Sequence, residues 1–184
     1  MTDPPDIPLR TDAHRNRQRL IEVARIAFGS DSKPSLEAIA RDAGVGIGTL
    51  YRHFPTRERL VEAVYQAELS RLCDQAGELL AQLAPDVALR TWMDRFADYV
   101  LAKREMGDAL RAVFGSGAIT SSTTRERLSD AIRPILEAGT ATGALRTGVD
   151  SLDVVASVAG IFVTAASPDQ AGRMLDLLMA GLRT

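Results

Sequence analysis

Apolar residues recur along this chain at intervals of three and four, the period of a helix that hides one face. The strict alternation of a half-buried strand is almost absent. Leu20, Val23, Ala24, Ala27 and Phe28 form one such stripe and predict a helix over 13–29 that Gly29 ends. Ser35 then stands where an N-cap is needed, with Glu37 in the first turn and Leu36, Ile39, Ala40 and Ala43 as the inward face of a second helix. Gly44 suits the left-handed residue that closes it. Val45, Leu50 and Phe54 are the apolar anchors of a third short helix over 47–53. Thr56 caps a long helix running to about residue 82, and Pro85 opens another over 86–104. Shorter segments follow at 107–113 and at 122–138, the latter with a kink expected at Pro134 and closed by Gly139 and Gly143. Asp150 caps 151–166, and Ser167 with Gln170 forms a capping box ahead of 168–183. The expected fold is all-α with about nine helices.

The pattern also divides the chain. Residues 1–12 read as a disordered tail, 13–56 as three short helices, and 57–184 as a larger helical domain. Two short helices joined by a glycine-containing turn make a helix-turn-helix. Its second helix sits in the stretch VGIGTLYRHF (45–54), which has little bulk at its start and several hydrogen-bonding groups after it. Seven residues give about 10 Å of helix at about 1.5 Å per residue, and a DNA major groove is about 12 Å wide. Gly48, in the first turn, costs up to about 1 kcal/mol against alanine, a cost that makes sense where a base edge or phosphate comes close to the backbone. Thr49, Tyr51 and His53 can donate hydrogen bonds to phosphate oxygens, and Arg52 can reach guanine O6 and N7 in a bidentate pair.

Charge adds a weaker signal. The net charge is −2, but residues 1–60 hold 10 Lys and Arg against 8 Asp and Glu, a balance of +2, and the remainder holds 12 against 16, or −4. Arg10, Arg15, Arg17 and Arg19 cluster around the start of the first helix, consistent with one basic face. The single cysteine, Cys73, excludes an internal disulfide framework and suits a reducing compartment. The first ten residues carry acids and no apolar run, unlike a signal peptide. The longest uncharged apolar stretch, 154–166, is shorter than the roughly 20 residues that span a bilayer. A cytoplasmic protein with no membrane association is expected.

The residues 15–65, above all SLEAIARDAGVGIGTLYRHFPTRERLVEAVY (35–65), resemble the N-terminal DNA-binding domain of the TetR family of bacterial transcriptional regulators. The GTLYRHF core and the F-P-x-R-E-x-L entry into the fourth helix both stand here. Gly46 occupies a position where the family often has a small hydroxyl residue, and a proline precedes Ser35. The resemblance implies a homodimer on double-stranded operator DNA, usually a repressor released by a small molecule bound in the larger domain. It places Ile47, Gly48 and Arg52 at bases. It places Ser35, Thr49, Tyr51, His53 and Arg57 on phosphates, supported by Arg15 or Arg17.

Beyond residue 85 motifs stop helping, and physical cues remain. Trp92, Phe96 and Tyr99 share one helical face, with Met93, Met106, Leu110 and Phe114 near enough in sequence to join them. These seven are candidates to line a pocket for an apolar or aromatic effector, or to form ordinary core. The last two helices are apolar nearly all round, so both sides must be covered. An interface of two helices from each subunit, using Val155, Ala159, Phe162, Leu175, Leu178 and Leu182, would do so. Enzyme motifs are missing. Both histidines, His14 and His53, lie in the N-terminal third, and there is no phosphate loop, nucleophile elbow or metal-ligand cluster. No catalytic residue, metal or cofactor is therefore expected. The rival to a ligand-released repressor is a constitutive DNA-binding regulator with no effector.

Overall fold

The computed structural model describes residues 7–30 and 34–184, with side chains from Asp12 onward. Among the described residues the regular structure is all helix apart from one isolated bridge between Leu145 and Arg183. The helices are α1 (Ile7–Ser30), α2 (Leu36–Asp42), α3 (Ile47–His53), α4 (Arg57–Gln82), α5 (Pro85–Glu105), α6 (Gly107–Gly115), α7 (Ser121–Thr142), α8 (Ser151–Thr164) and α9 (Pro168–Leu182).

Most boundaries follow the capping residues. Ser35, Thr120, Asp150 and Ser167 each accept a first-turn backbone N–H through the side chain. Two boundaries differ from the pattern-based expectation by more than two residues. α1 begins at Ile7, so residues 7–12 are helical rather than tail; Pro8 falls in the first turn, where its missing N–H has no intrahelical partner to lose. Residues 1–6, the rest of the expected tail, lie outside the described residues. Gly139 does not close α7. The helix runs through it, and through Pro134, to Gly143, whose φ of 72° makes it the left-handed cap.

The chain divides into two compact units. The first comprises the residues up to Ala67 with Ala102–Ala118; the second comprises Glu68–Leu101 with Ile119–Thr184. This differs from a break at residue 56: α4 and α5 each contribute to both units, and α6 belongs with the helix-turn-helix. In the first unit Leu20, Phe28, Ile39, Leu50, Phe54 and Tyr65 are buried together with Leu110 and Val113 of α6. Tyr65 meets the Phe114 ring edge to face at 5.5 Å, which ties α6 to α4.

In the second unit Leu72, Leu89, Trp92, Ile132, Val155, Val158, Leu175 and Met179 form the core. α8 packs on both α7 and α9. The buried Trp92 donates its indole N–H to the Leu72 carbonyl at 3.0 Å, so its polar atom is not stranded. Arg90 bridges to Asp94 and to Asp176, and Arg183 to Asp86, fastening α5 to the last helix and its end.

Candidate nucleic-acid interface

The helix-turn-helix is built by local chemistry. Ser35 Oγ accepts from the Ala38 N–H at 3.0 Å and starts α2, while its own hydroxyl proton stays available to a second acceptor. At the other end Gly44 takes φ 67°, which lets its N–H reach the Arg41 carbonyl at 2.9 Å and the Val45 N–H reach the Ala40 carbonyl at 3.0 Å. The chain reverses there and enters α3 through Gly46, whose carbonyl takes the Thr49 and Leu50 N–H groups. Leu50 is fully buried, and Phe54 behind it nearly so.

With Leu50 inward, α3 turns Ile47, Gly48, Tyr51 and Arg52 outward. Ile47 is 37% exposed and Tyr51 45%, large side chains left in water by the fold itself. Thr49 and His53 are half-buried at the flanks. Arg52 is exposed and holds no ion pair among the described residues. A Cβ added at Gly46 or at Gly48 meets nothing within 4 Å. Both backbones have ordinary negative φ, so the fold requires glycine at neither position. Gly44 is different, because its φ demands it.

The expected phosphate ligands are placed unevenly. Arg15 is exposed at 76% and pairs loosely with Asp12 at 3.3 Å. Arg17 lays its guanidinium over the Phe54 ring at 5.1 Å, beside the end of α3. Arg19, which the sequence pattern did not single out as a site residue, donates to the Ala43 carbonyl at 3.4 Å and so reaches the turn from α1. Arg57 is turned inward: Nη1 donates to the Pro34 carbonyl at 2.7 Å, and the guanidinium lies 5.3 Å from the Phe28 ring centroid. At the start of α4 Thr56 Oγ1 accepts from the Arg59 N–H. Glu58's own backbone N–H, and then the Thr56 hydroxyl, hold the Glu58 carboxyl below its ordinary range.

The seven candidates for an effector pocket fall in two units. In the second, Trp92, Met93, Phe96 and Tyr99 are buried, and their rings interlock. Trp92 meets Phe96 edge-on at 5.7 Å, Phe96 meets Tyr99 at 5.5 Å, and Phe162 stacks on Phe96 at 5.8 Å. In the first, Met106 and Leu110 are buried, and Lys103 sits over the half-buried Phe114 ring at 5.1 Å. Lys103 is exposed as a residue, and partial desolvation of its ammonium beside that ring pushes its pKa below the ordinary value.

Of the six residues expected at a subunit interface, Val155, Leu175 and Leu182 are enclosed within the chain's own core, where α8 packs on both α7 and α9. Ala159, Phe162 and Leu178 are half-buried. The outward sides of these helices instead show Leu152 at 44%, Val163 at 77% and Leu177 at 74% exposure. Shallow grooves flank them. One, of about 520 Å³, is lined by Arg173, Met174, Asp176 and Leu177 among others. Another, of about 630 Å³, lies between α7 and the start of α8.

Among the described residues no group of three or more His, Cys, Asp or Glu is placed to hold a metal ion, and no helix is long and apolar enough to cross a membrane.

An all-α chain with an exposed second helix in a glycine-closed helix-turn-helix has the architecture of a bacterial transcriptional regulator. Comparison with known proteins agrees. Residues 32–64 match the model of bacterial regulatory proteins of the tetR family, and residues 84–184 match the SbtR-like transcriptional regulator C-terminal domain. The chain belongs to the TetR family of transcriptional regulators. It is similar to the TetR regulator SCO0520 of Streptomyces coelicolor, with 46% identity, a TM-score of 0.77, and coverage of 91% of this chain and 98% of that one. It is also similar to a TetR regulator of Mycobacterium vanbaalenii, with 31% identity, a TM-score of 0.74, and coverage of 96% and 100%. An HTH-type regulator of Staphylococcus aureus is 39% identical over 73 residues, which span 39% of this chain and 40% of that relative's own length.

Proposed function

We propose that this protein is a homodimeric, operator-binding repressor that reads bases with Ile47, Gly48 and Arg52 of α3. Ser35, Thr49, Tyr51 and His53 would hold phosphates around them. The observation that carries this reading is the outward face of α3, where apolar side chains stand in water and Gly48 occupies a position the fold leaves open. A partner approaching the α3 backbone accounts for both features. The family membership supports the same partner.

The exposed Val163 and Leu177 support a second copy of the chain as the cover for α8 and α9. A two-fold dimer then presents two α3 helices to half-sites about 34–36 Å apart, or a multiple of that. Release by a small apolar or aromatic ligand is the regulatory reading that family resemblance favours. Trp92, Phe96 and Tyr99 are closed on one another, so a ligand entering there must part them. That closed packing favours the competing reading, a constitutive regulator with no effector.

The test is selection of duplexes by the purified protein from a random-sequence pool. A recovered two-half-site motif, bound by a dimer, is the expected result; recovery of no common sequence removes the reading. Val163→Arg with Leu177→Arg places charges on exposed positions that fold without a partner. Sedimentation should then show a monomer with sharply weakened affinity for the selected duplex, and an unchanged dimer would put the interface elsewhere. Compounds that release the selected duplex separate the ligand-responsive regulator from the constitutive one.

A further inference from the structure

We propose that Arg57 is a positioning residue that clamps the start of α2 to the start of α4, rather than a ligand for DNA phosphate. The proposal rests on the DNA-binding reading above and departs from the role expected for this position.

Arg57 is the first residue of α4, where the helix dipole disfavours a cation. Its charge therefore needs a local purpose, and three observations supply one. Nη1 donates at 2.7 Å to the carbonyl of Pro34, the residue immediately before the α2 cap Ser35. The guanidinium lies over the ring of Phe28, a buried residue near the end of α1. Nη2 is enclosed, with no hydrogen-bond partner among the described residues. One side chain thus joins the last turn of α1, the residue that sets the α2 cap, and the first turn of α4.

A phosphate could engage Nη2 only after the guanidinium left its enclosure, and the Nη1 hydrogen directed at Pro34 is already committed. Arg17 makes the contrast, since its guanidinium lies over Phe54 while remaining exposed. Arginine is suited to the Arg57 task because its planar fork can stack and donate in a fixed direction at once. Lysine keeps the charge and loses both properties.

The experiment compares Arg57→Lys and Arg57→Met with the unaltered protein, well below each protein's melting temperature. It uses a duplex selected from a random pool and an unselected duplex of equal length, over a range of salt. Amide hydrogen exchange is followed at Ala38 and Ile39, whose N–H groups bond to Ser35. A clamp predicts that Arg57→Lys loses about tenfold in affinity for the selected duplex, the size of one lost charge-assisted hydrogen bond. The salt slope should stay the same, the preference over the unselected duplex should shrink, and exchange should quicken at Ala38 and Ile39 with α8 and α9 unaffected. A general loss of stability would not move the preference ratio of a folded protein. The proposal is overturned if Arg57→Lys keeps wild-type affinity and protection, and most directly if Arg57→Met alone lowers the salt slope by about one unit, the mark of a lost phosphate contact. If the unaltered protein selects no duplex, the DNA-binding reading fails by itself, and the exchange at Ala38 and Ile39 still decides the clamp.

Discussion

Replacing Gly48 with alanine should strengthen the fold and weaken the function, and the two effects can be measured separately. Gly48 lies in the first turn of α3 with negative φ, and a Cβ there meets nothing within 4 Å. No clash or strain therefore opposes the new methyl. Alanine restricts the unfolded chain more than glycine does and is the better helix former, a gain of up to about 1 kcal/mol. For a chain of this size each kcal/mol raises the melting temperature by about 2–4 °C. If α3 lies in a major groove, the same methyl stands between the helix backbone and a base edge or phosphate. Losing one hydrogen bond to a charged partner costs about 1.5–3 kcal/mol, or about ten- to a hundredfold in affinity. Thermal melting by circular dichroism reads the first effect, and fluorescence anisotropy with the selected duplex reads the second.

Gly46→Ala gives a control of opposite sign. Position 46 is the N-cap of α3, where glycine is the better residue and alanine the poorer, so stability should fall slightly. The reasoning is refuted if Gly48→Ala binds the selected duplex as tightly as the unaltered protein while melting higher. The glycine would then be a tolerated weakness of the helix, without a role in docking.

Gly139→Ala should destabilise by about 1–3 kcal/mol despite its better helix propensity, because the added Cβ would lie 2.4 Å from Leu145 Cδ1 and 2.6 Å from Cγ; an unchanged melting temperature would mean Leu145 moves aside freely. Ser35→Ala removes the α2 cap and should cost about 1 kcal/mol, seen as a lower denaturation midpoint; no change would show that the first turn of α2 is held by other groups. Partial desolvation lowers the Lys103 pKa in the folded state although the residue is exposed, so the unfolded state binds more protons between the folded and unfolded values. Stability linked to Lys103 therefore rises as pH climbs through that window, and below it the charged form bears the desolvation cost. Lys103→Met should melt modestly higher at neutral pH, with the advantage shrinking in alkali. A lower melting temperature at neutral pH would mean that the cation resting on Phe114 outweighs desolvation. The half-buried Cys73 has a thiol pKa raised by burial, so alkylation should be slower than for a free cysteine and should accelerate only at higher pH.

What the sequence made legible was whatever depends on neighbours along the chain. Ser35, Gly44 and the Leu50–Phe54 spacing act within a few residues of themselves, so the helix-turn-helix could be read before any tertiary contact was known. Gly139 and Gly143 show the limit. Both looked like helix terminators, and only the approach of Leu145 shows that one is a packing glycine inside α7 and the other its cap. The inclusion of α6 in the first unit rests on contacts such as Phe114 with Tyr65, 49 positions apart, which no local pattern announces. The same limit governs the last two helices. Their apolar residues surround the axis, so periodicity could not say which side the chain buries for itself. Packing of α8 on α7 and α9 takes Val155 inward, Leu175 and Leu182 of α9 are buried as well, and Val163 and Leu177 stay outside. Arg57 is the sharpest case, because its residue type and position fit a phosphate contact and its observed partners are Pro34 and Phe28. A guanidinium serves a carbonyl, an aromatic face or a phosphate with equal chemical competence. Which one it takes is decided by what the fold brings within reach, and the sequence pattern carries no record of that distance.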